Sequence, residues 1–181
     1  MRVLLLRHGA TPGNLEKRYI GTTDEPLSEE GRKQLATVHF PAPELLVCSP
    51  LRRCIETAEL VFPGMPCIIE PDFRECDFGD FEEKNYTDLS SDPRYQAWID
   101  SGGTLPFPGG ESPAAFRNRC AAAFSSLLRE HSAIHDMALV VHGGTIMSIL
   151  SDRLGGDYYS YQIPNGGHFL YDTMQNTLLQ K

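Results

Sequence analysis

Val3-Leu4-Leu5-Leu6-Arg7-His8-Gly9 and, far downstream, Ala138-Leu139-Val140-Val141-His142-Gly143-Gly144 share one pattern: an apolar run, a histidine, then glycine. Apolar runs without polar alternation suit strands covered on both faces, as in a parallel sheet flanked by helices. In such open sheets ligands collect outside the carboxyl ends of the strands, near the topological switch point. Both histidines are therefore expected at one edge of the sheet. The glycines after them let a ligand approach the backbone, and the amides opening the next helix can hold an anion.

Working outward, Gly9, Pro12, Gly13 and Asn14 mark a loop after the first strand. Ser28 to Val38 has a helical pattern, with Ser28 as N-cap and Glu29 and Glu30 in the first turn. Pro41-Ala42-Pro43 breaks the chain, Leu45–Cys48 is the next strand, and Ser49-Pro50 opens a helix to about Val61. Cys67–Glu70 is a third strand candidate. Phe73 to Glu111 has no strong period and is read as a long connection with one or two short helices, a length that usually signals function. Ser112 caps a helix to about Glu130; Ala138–Val141 is a strand, Gly144–Leu154 a helix, and His168–Tyr171 and Thr177–Leu179 the last strands. The alternation predicts an α/β three-layer sandwich, a largely parallel central sheet with helices on both faces. It is read as one domain over residues 1–181, with a lid-like connection at about 76–111.

Composition narrows the function. Hydrophobic content of 41% and charged content of 22% are ordinary for a globular chain. The apolar start is too short for a signal peptide and is broken by Arg7, and no stretch approaches a membrane span, so no membrane partner is expected and the cytoplasm is the default location. Five cysteines without a C-x-x-C pair read as reduced thiols. A net charge of −8 argues against nucleic acid as a partner, so attraction for an anion must come from locally placed arginines.

Ser49-Pro50-Leu51-Arg52-Arg53 follows a strand and brings one or two arginines to the edge that holds the histidines. Two histidines and two arginines suit a dianionic phosphoryl group. Arginine binds its oxygens through a bidentate fork, and histidine attacks phosphorus through a neutral ring nitrogen, which nearby cations preserve by lowering its pKa. Such a pocket calls for no cofactor and no metal, since phosphoryl transfer needs chiefly positioning and charge stabilisation. A single histidine after a strand is more often structural; two such sites, each followed by glycine, reverse that balance. His131 and His135 have a helical metal-ligand spacing but no evident third ligand, and His39 and His168 are read as structural.

These residues resemble the histidine phosphatase superfamily, also called phosphoglycerate-mutase-like. The matching segments are Arg7-His8-Gly9-Ala10-Thr11-Pro12-Gly13-Asn14, Gly21 to Gly31, Ser49 to Ala58, Phe73-Arg74-Glu75-Cys76-Asp77-Phe78-Gly79 and His142-Gly143-Gly144, in family order over about residues 2–154. The resemblance implies His8 as the nucleophile that becomes phosphohistidine and Glu75 as the proton donor, later the base for water. It implies Arg7, Asn14, Gly21, Arg52, His142 and Gly143 as the substrate-binding set, for a small phosphorylated substrate. Asp77 and Asp80 are neighbouring carboxylates that could take the acid role instead of Glu75. Where many relatives have Trp-Glu-Gly, this chain has Phe81-Glu82-Glu83. It is shorter than the glycolytic mutases, lacking their insertion after the acid segment and their C-terminal tail. With Pro108-Gly109-Gly110-Glu111-Ser112 it looks more like the phosphatase branch, in particular the α-ribazole phosphatases. The implied reaction is hydrolysis of a phosphomonoester. Its rivals are mutase-type phosphoryl transfer and a non-catalytic phospholigand-binding module. Tyr86, Tyr95, Trp98, Phe107 and Ser112 are candidates to meet the leaving group, each with lid packing as the blander explanation.

Overall fold

The first apolar run forms β1 (Arg2–Arg7) in the computed structural model, which describes residues 1–180. Its alternation builds the layers: Val3 and Leu5 face one core, Leu4 and Leu6 the other, and all four are buried. β4 (Asp136–Val141) lies parallel beside it and divides in the same way, Met137, Leu139 and Val141 against Ala138 and Val140. β2 (Leu45–Cys48) and β3 (Cys67–Ile69) continue the parallel set, whereas β5 (His168–Asp172) runs against β1 and β6 (Thr177–Gln180) against β5. The sheet order is β3-β2-β4-β1-β5-β6. The expected largely parallel sandwich is what the chain forms.

Helices α2 (Glu29–Leu35) and α3 (Arg52–Val61) cover one face through Leu35, Cys54, Ala58 and Val61. On the other face lie α6 (Pro113–Glu130) and α7 (Gly143–Leu154), which contribute Phe124, Leu127, Ile146, Ile149 and Leu150. The chain thus leaves β1 toward one face and β4 toward the other, while Arg7 and Val141 stand in register at the strand ends. A crevice opens at that point, and His8 and His142 are the next residues on either side of it.

Several boundaries differ from the sequence reading. The helix expected to reach Val38 stops at Leu35, because Thr37 and Val38 turn back with i→i+3 bonds to Gln34 and Leu35 and the Thr37 hydroxyl takes the Gln34 carbonyl. α3 starts at Arg52, not at Pro50; its first free amide is accepted by the Asp24 carboxylate at 2.7 Å, a cap supplied from another loop. Cys48 and Cys67 are not both reduced thiols. They stand on adjacent strands with Cα atoms 6.4 Å apart and form a disulfide, leaving Cys54, Cys76 and Cys120 free and buried. His131 caps the end of α6 and His135 lies in the loop beyond, so they do not share a helix face.

The stretch from Phe73 to Glu111 carries two short α-helices, within the expected one or two: α4 (Tyr86–Leu89) and α5 (Pro93–Asp100). A 3-10 turn at Gly79–Phe81 precedes them, and another at Pro71–Phe73 leads into the stretch. Phe81, Leu89, Tyr95 and Phe107 join Phe116 and Cys120 of α6 in a third apolar cluster, separate from the two cores of the sheet. The chain between β1 and α2 begins with α1 (Pro12–Leu15), closed by a capping box between Thr11 and Asn14.

Candidate active site

His8 leaves β1 at the crevice and is almost fully buried. Its Nδ1 lies 2.7 Å from the Gly9 carbonyl oxygen. A carbonyl only accepts, so Nδ1 carries the proton and Nε2 keeps its lone pair. Burial first, and the Arg53 and Arg7 cations next, hold the ring well below the ordinary histidine pKa, so it is neutral near pH 7. The ring of His142 stands edge-on to it, centroids 5.1 Å apart.

His142 is also held neutral, again by burial first and then by Arg53. Ser49 Oγ lies 2.7 Å from its Nε2, and Arg53 Nε donates to its Nδ1 at 3.3 Å. Arg53 is fully buried; its other nitrogens donate to the carbonyls of Thr23, Ile20 and Gly21. No carboxylate pairs with it among the described residues. Arg52, placed in the pocket by the sequence reading, is elsewhere. Its side chain is 59% exposed and pairs with Glu56 along the helix at 2.6 Å. The correction follows from helix geometry: adjacent residues diverge by about 100°, and Arg53 shares the inward stripe of Cys54, Thr57, Ala58 and Val61.

Arg7, Asn14, Glu75, Gly143 and Gly144 are among the residues that line a cavity of about 480 Å3; His8, Arg53 and His142 are buried and do not line it. Arg7 gives one nitrogen to the Ile163 carbonyl at 2.7 Å, and its buried Nε has no partner among the described residues. Glu75 accepts from the amides of Cys76 at 3.0 Å and Gly144 at 3.4 Å. Burial nevertheless raises its pKa, with those amides and Arg53 and Arg7 opposing, so a protonated carboxyl lies closer to neutral pH than usual. Asp77 instead caps the Gly79 amide and Asp80 pairs with Arg94 at the surface; neither lines the cavity.

Further residues position this set and were not singled out by the sequence. The Asn165 amide donates to the Asn14 side-chain oxygen at 3.0 Å and to the His8 carbonyl. Arg119, paired with Glu111 at 2.8 Å, donates to the carbonyls of Asp72, Arg74 and Glu75 and so pins the segment that carries Glu75. Gly21, expected to touch substrate, does not line the cavity. Its carbonyl serves Arg53, its amide goes to Glu82, and a Cβ there would collide with the Cys76 carbonyl. Glu82 also accepts from Thr22, Thr23 and Phe78, tying the 21–23 loop to the third cluster, and Glu83 follows it with φ +59°. Of the leaving-group candidates, Trp98 and Phe107 line the cavity, whereas Tyr86, Tyr95 and Ser112 do not.

Residues 3–169 match the family model of the histidine phosphatase superfamily (branch 1). The chain is 35% identical over 162 residues to the adenosylcobalamin/alpha-ribazole phosphatase of Salmonella typhimurium, covering 85% of this chain and 79% of that one. It is 33% identical over 172 residues to a protein of Proteus mirabilis named probable phosphoglycerate mutase GpmB, covering 88% and 78%. Among solved structures, the alpha-ribazole phosphatase of Shigella flexneri superposes with a TM-score of 0.88 at 28% identity, covering 100% of this chain and 95% of that one.

Proposed function

Because the chain belongs to the histidine phosphatase superfamily, we propose that it hydrolyses a small phosphate monoester in two steps through a phosphohistidine at His8. One observation carries this reading: His8 is a neutral imidazole with Nε2 free, set beside two arginines that have no carboxylate partner among the described residues. A buried guanidinium without a counter-ion is costly, and a phosphoryl dianion supplies one. The likeness to adenosylcobalamin/alpha-ribazole phosphatases supports α-ribazole 5'-phosphate as the substrate.

In the first step Nε2 of His8 attacks phosphorus, the bond from phosphorus to the ester oxygen breaks, and Glu75 gives its proton to the departing alkoxide. In the second step the Glu75 carboxylate takes a proton from water, whose oxygen attacks phosphorus as the P–N bond breaks. Inorganic phosphate leaves, and His8 and Glu75 return to their starting states. Arg7 and the Gly143 amide hold the phosphoryl oxygens from the front, with Asn14 assisting; Arg53 and His142 act from behind His8. Since His8 is 3% exposed, binding includes a side-chain displacement at the lining, where Arg7 and Glu75 stand. Such sites often tighten only around substrate.

The likeness to the GpmB protein favours a second reading, in which the phosphoryl group returns to substrate instead of passing to water. Rapid-quench labelling with α-ribazole 5'-phosphate tests the first. The expected result is an acid-labile, alkali-stable phosphoenzyme in the wild type, absent in His8→Ala, with inorganic phosphate as product. Undiminished turnover in His8→Ala would sink the mechanism. Interconversion of 3-phosphoglycerate that depends on 2,3-bisphosphoglycerate and outpaces phosphate release would select the mutase reading.

A further inference from the structure

The cavity is much larger than a phosphoryl group needs; about 480 Å3 is in the range that encloses a whole small molecule. Its lining includes Phe78, Trp98, Phe107 and Tyr158. Phe78 and Phe107 meet edge to face at 5.0 Å, and Trp98 lies tilted against Phe107 at 5.2 Å. A wall of that kind favours a flat ring over a flexible polar chain.

Among the described residues four buried side-chain nitrogens have no partner, those of Arg7, Trp98, Arg117 and Arg153, and the first three of these residues line the cavity. Arg7 belongs to the phosphate end. Trp98 Nε1 and Arg117 Nε remain, and buried donors call for a partner. Arg117 makes no ion pair among the described residues, and its guanidinium lies 3.8 Å over the Tyr158 ring, which fixes the plane of its fork. The Tyr158 hydroxyl in turn donates to the Gly144 carbonyl, and the Gly144 amide faces Glu75. Arg117 is therefore held at a set distance from the reacting end. Among the described residues Glu75 is the only carboxylate of the lining, so no other acid there competes for it.

We propose that Trp98 and Arg117 form a leaving-group subsite for a planar heteroaromatic ring that carries a hydrogen-bond acceptor. The ring packs against the aromatic wall, and its acceptor takes an N–H at the outer end of the Arg117 fork, which makes no ion pair among the described residues. This rests on the reaction proposed above and assigns the residues that choose its substrate.

The test is the ratio of kcat/KM for α-ribazole 5'-phosphate to that for ribose 5-phosphate, which has the sugar phosphate without the base. Both substrates are measured on one sample, so the ratio is independent of how much of a variant is folded. The wild type is expected to favour the base-bearing ester strongly. Arg117→Ala should lower the ratio by roughly 10- to 100-fold, the worth of a hydrogen bond to a charged group. Arg117→Lys keeps the charge but loses the fork and should recover only part. Trp98→Phe keeps most of the ring area, loses the N–H and should lower the ratio several-fold. An unchanged ratio in Arg117→Ala, with ribose 5-phosphate still hydrolysed through His8, overturns the subsite alone. A wild type that releases phosphate from neither ester overturns the subsite and the proposed reaction together.

Discussion

The hydrogen bond from His8 Nδ1 to Gly9 and the burial of Glu75 divide the labour between nucleophile and acid. His8 is neutral well below pH 6.5, so the acid limb of a rate profile is not its titration near neutrality. The alkaline limb belongs to Glu75, whose proton is needed in the first step and is lost as pH rises through its raised pKa. In Glu75→Gln, kcat/KM for α-ribazole 5'-phosphate should fall by about 100-fold or more and the limb should vanish. 4-Nitrophenyl phosphate, whose leaving group needs little protonation, should suffer far less in that first step. Equal losses on both esters would remove Glu75 from the acid role. The two adjacent arginines make an independent test. Arg53→Ala removes the buried cation behind His8 and the bond that holds His142, and should cost about 100-fold or more in kcat/KM, on the scale of losing one preorganised electrostatic group. Arg52→Ala, exposed and paired only with Glu56, should stay within about 1 kcal/mol in stability and near wild type in rate. The sequence contained the signal for this choice in the Arg53–Thr57 spacing with Cys54, Ala58 and Val61. The family resemblance implied Arg52, whereas the strand-end position alone left both arginines open.

At the scale of elements, the strands were legible because an unbroken apolar run has one good use in a flanked sheet, and β1 and β4 follow it residue by residue. Features made by distant partners were not. The Asp24 cap on α3 comes from another loop, and the Cys48–Cys67 pairing depends on two strands being neighbours, which no spacing rule reports. Thiol titration of unfolded protein should find three free cysteines before reduction and all five after it; five at the outset would refute the bridge. The Phe81-Glu82-Glu83 departure also has a physical outcome. Glu82 organises the 21–23 loop through its carboxylate, whereas Glu83 occupies a left-handed conformation at φ +59°. A side chain there costs roughly 1–2 kcal/mol, partly offset by the greater unfolded freedom of glycine. Glu83→Gly should therefore raise stability by about 0.5–1 kcal/mol, read from the urea midpoint.

Across the whole molecule, a net charge of −8 surrounds a cavity whose lining, among the described residues, has Arg7, Lys17, Arg18 and Arg117 against Glu75 alone. Burial first, and the Arg53 and Arg7 cations after it, keep His8 and His142 neutral, and this sets how stability depends on pH. In the unfolded chain both histidines take up protons as pH falls through about 6.5, whereas folded they do not until well below it. Protonation then favours the unfolded state, so stability is full above pH 6.5 and declines beneath it, by up to about 1.4 kcal/mol per histidine per pH unit. Glu75 acts in the opposite sense, since its raised pKa lets the folded protein take a proton first. Two histidines outweigh one carboxyl. Carboxylates with lowered values, such as Glu56 and Glu111, begin to cost stability only as pH falls toward 4.5. Urea unfolding at about pH 7 and pH 5.5 should accordingly show the wild type losing stability between them. His8→Gln should lose less, by one proton's share, because glutamine does not titrate. A slope unaltered by that substitution would mean that His8 is charged in the folded protein, and a charged imidazole has no lone pair at Nε2 with which to attack phosphorus.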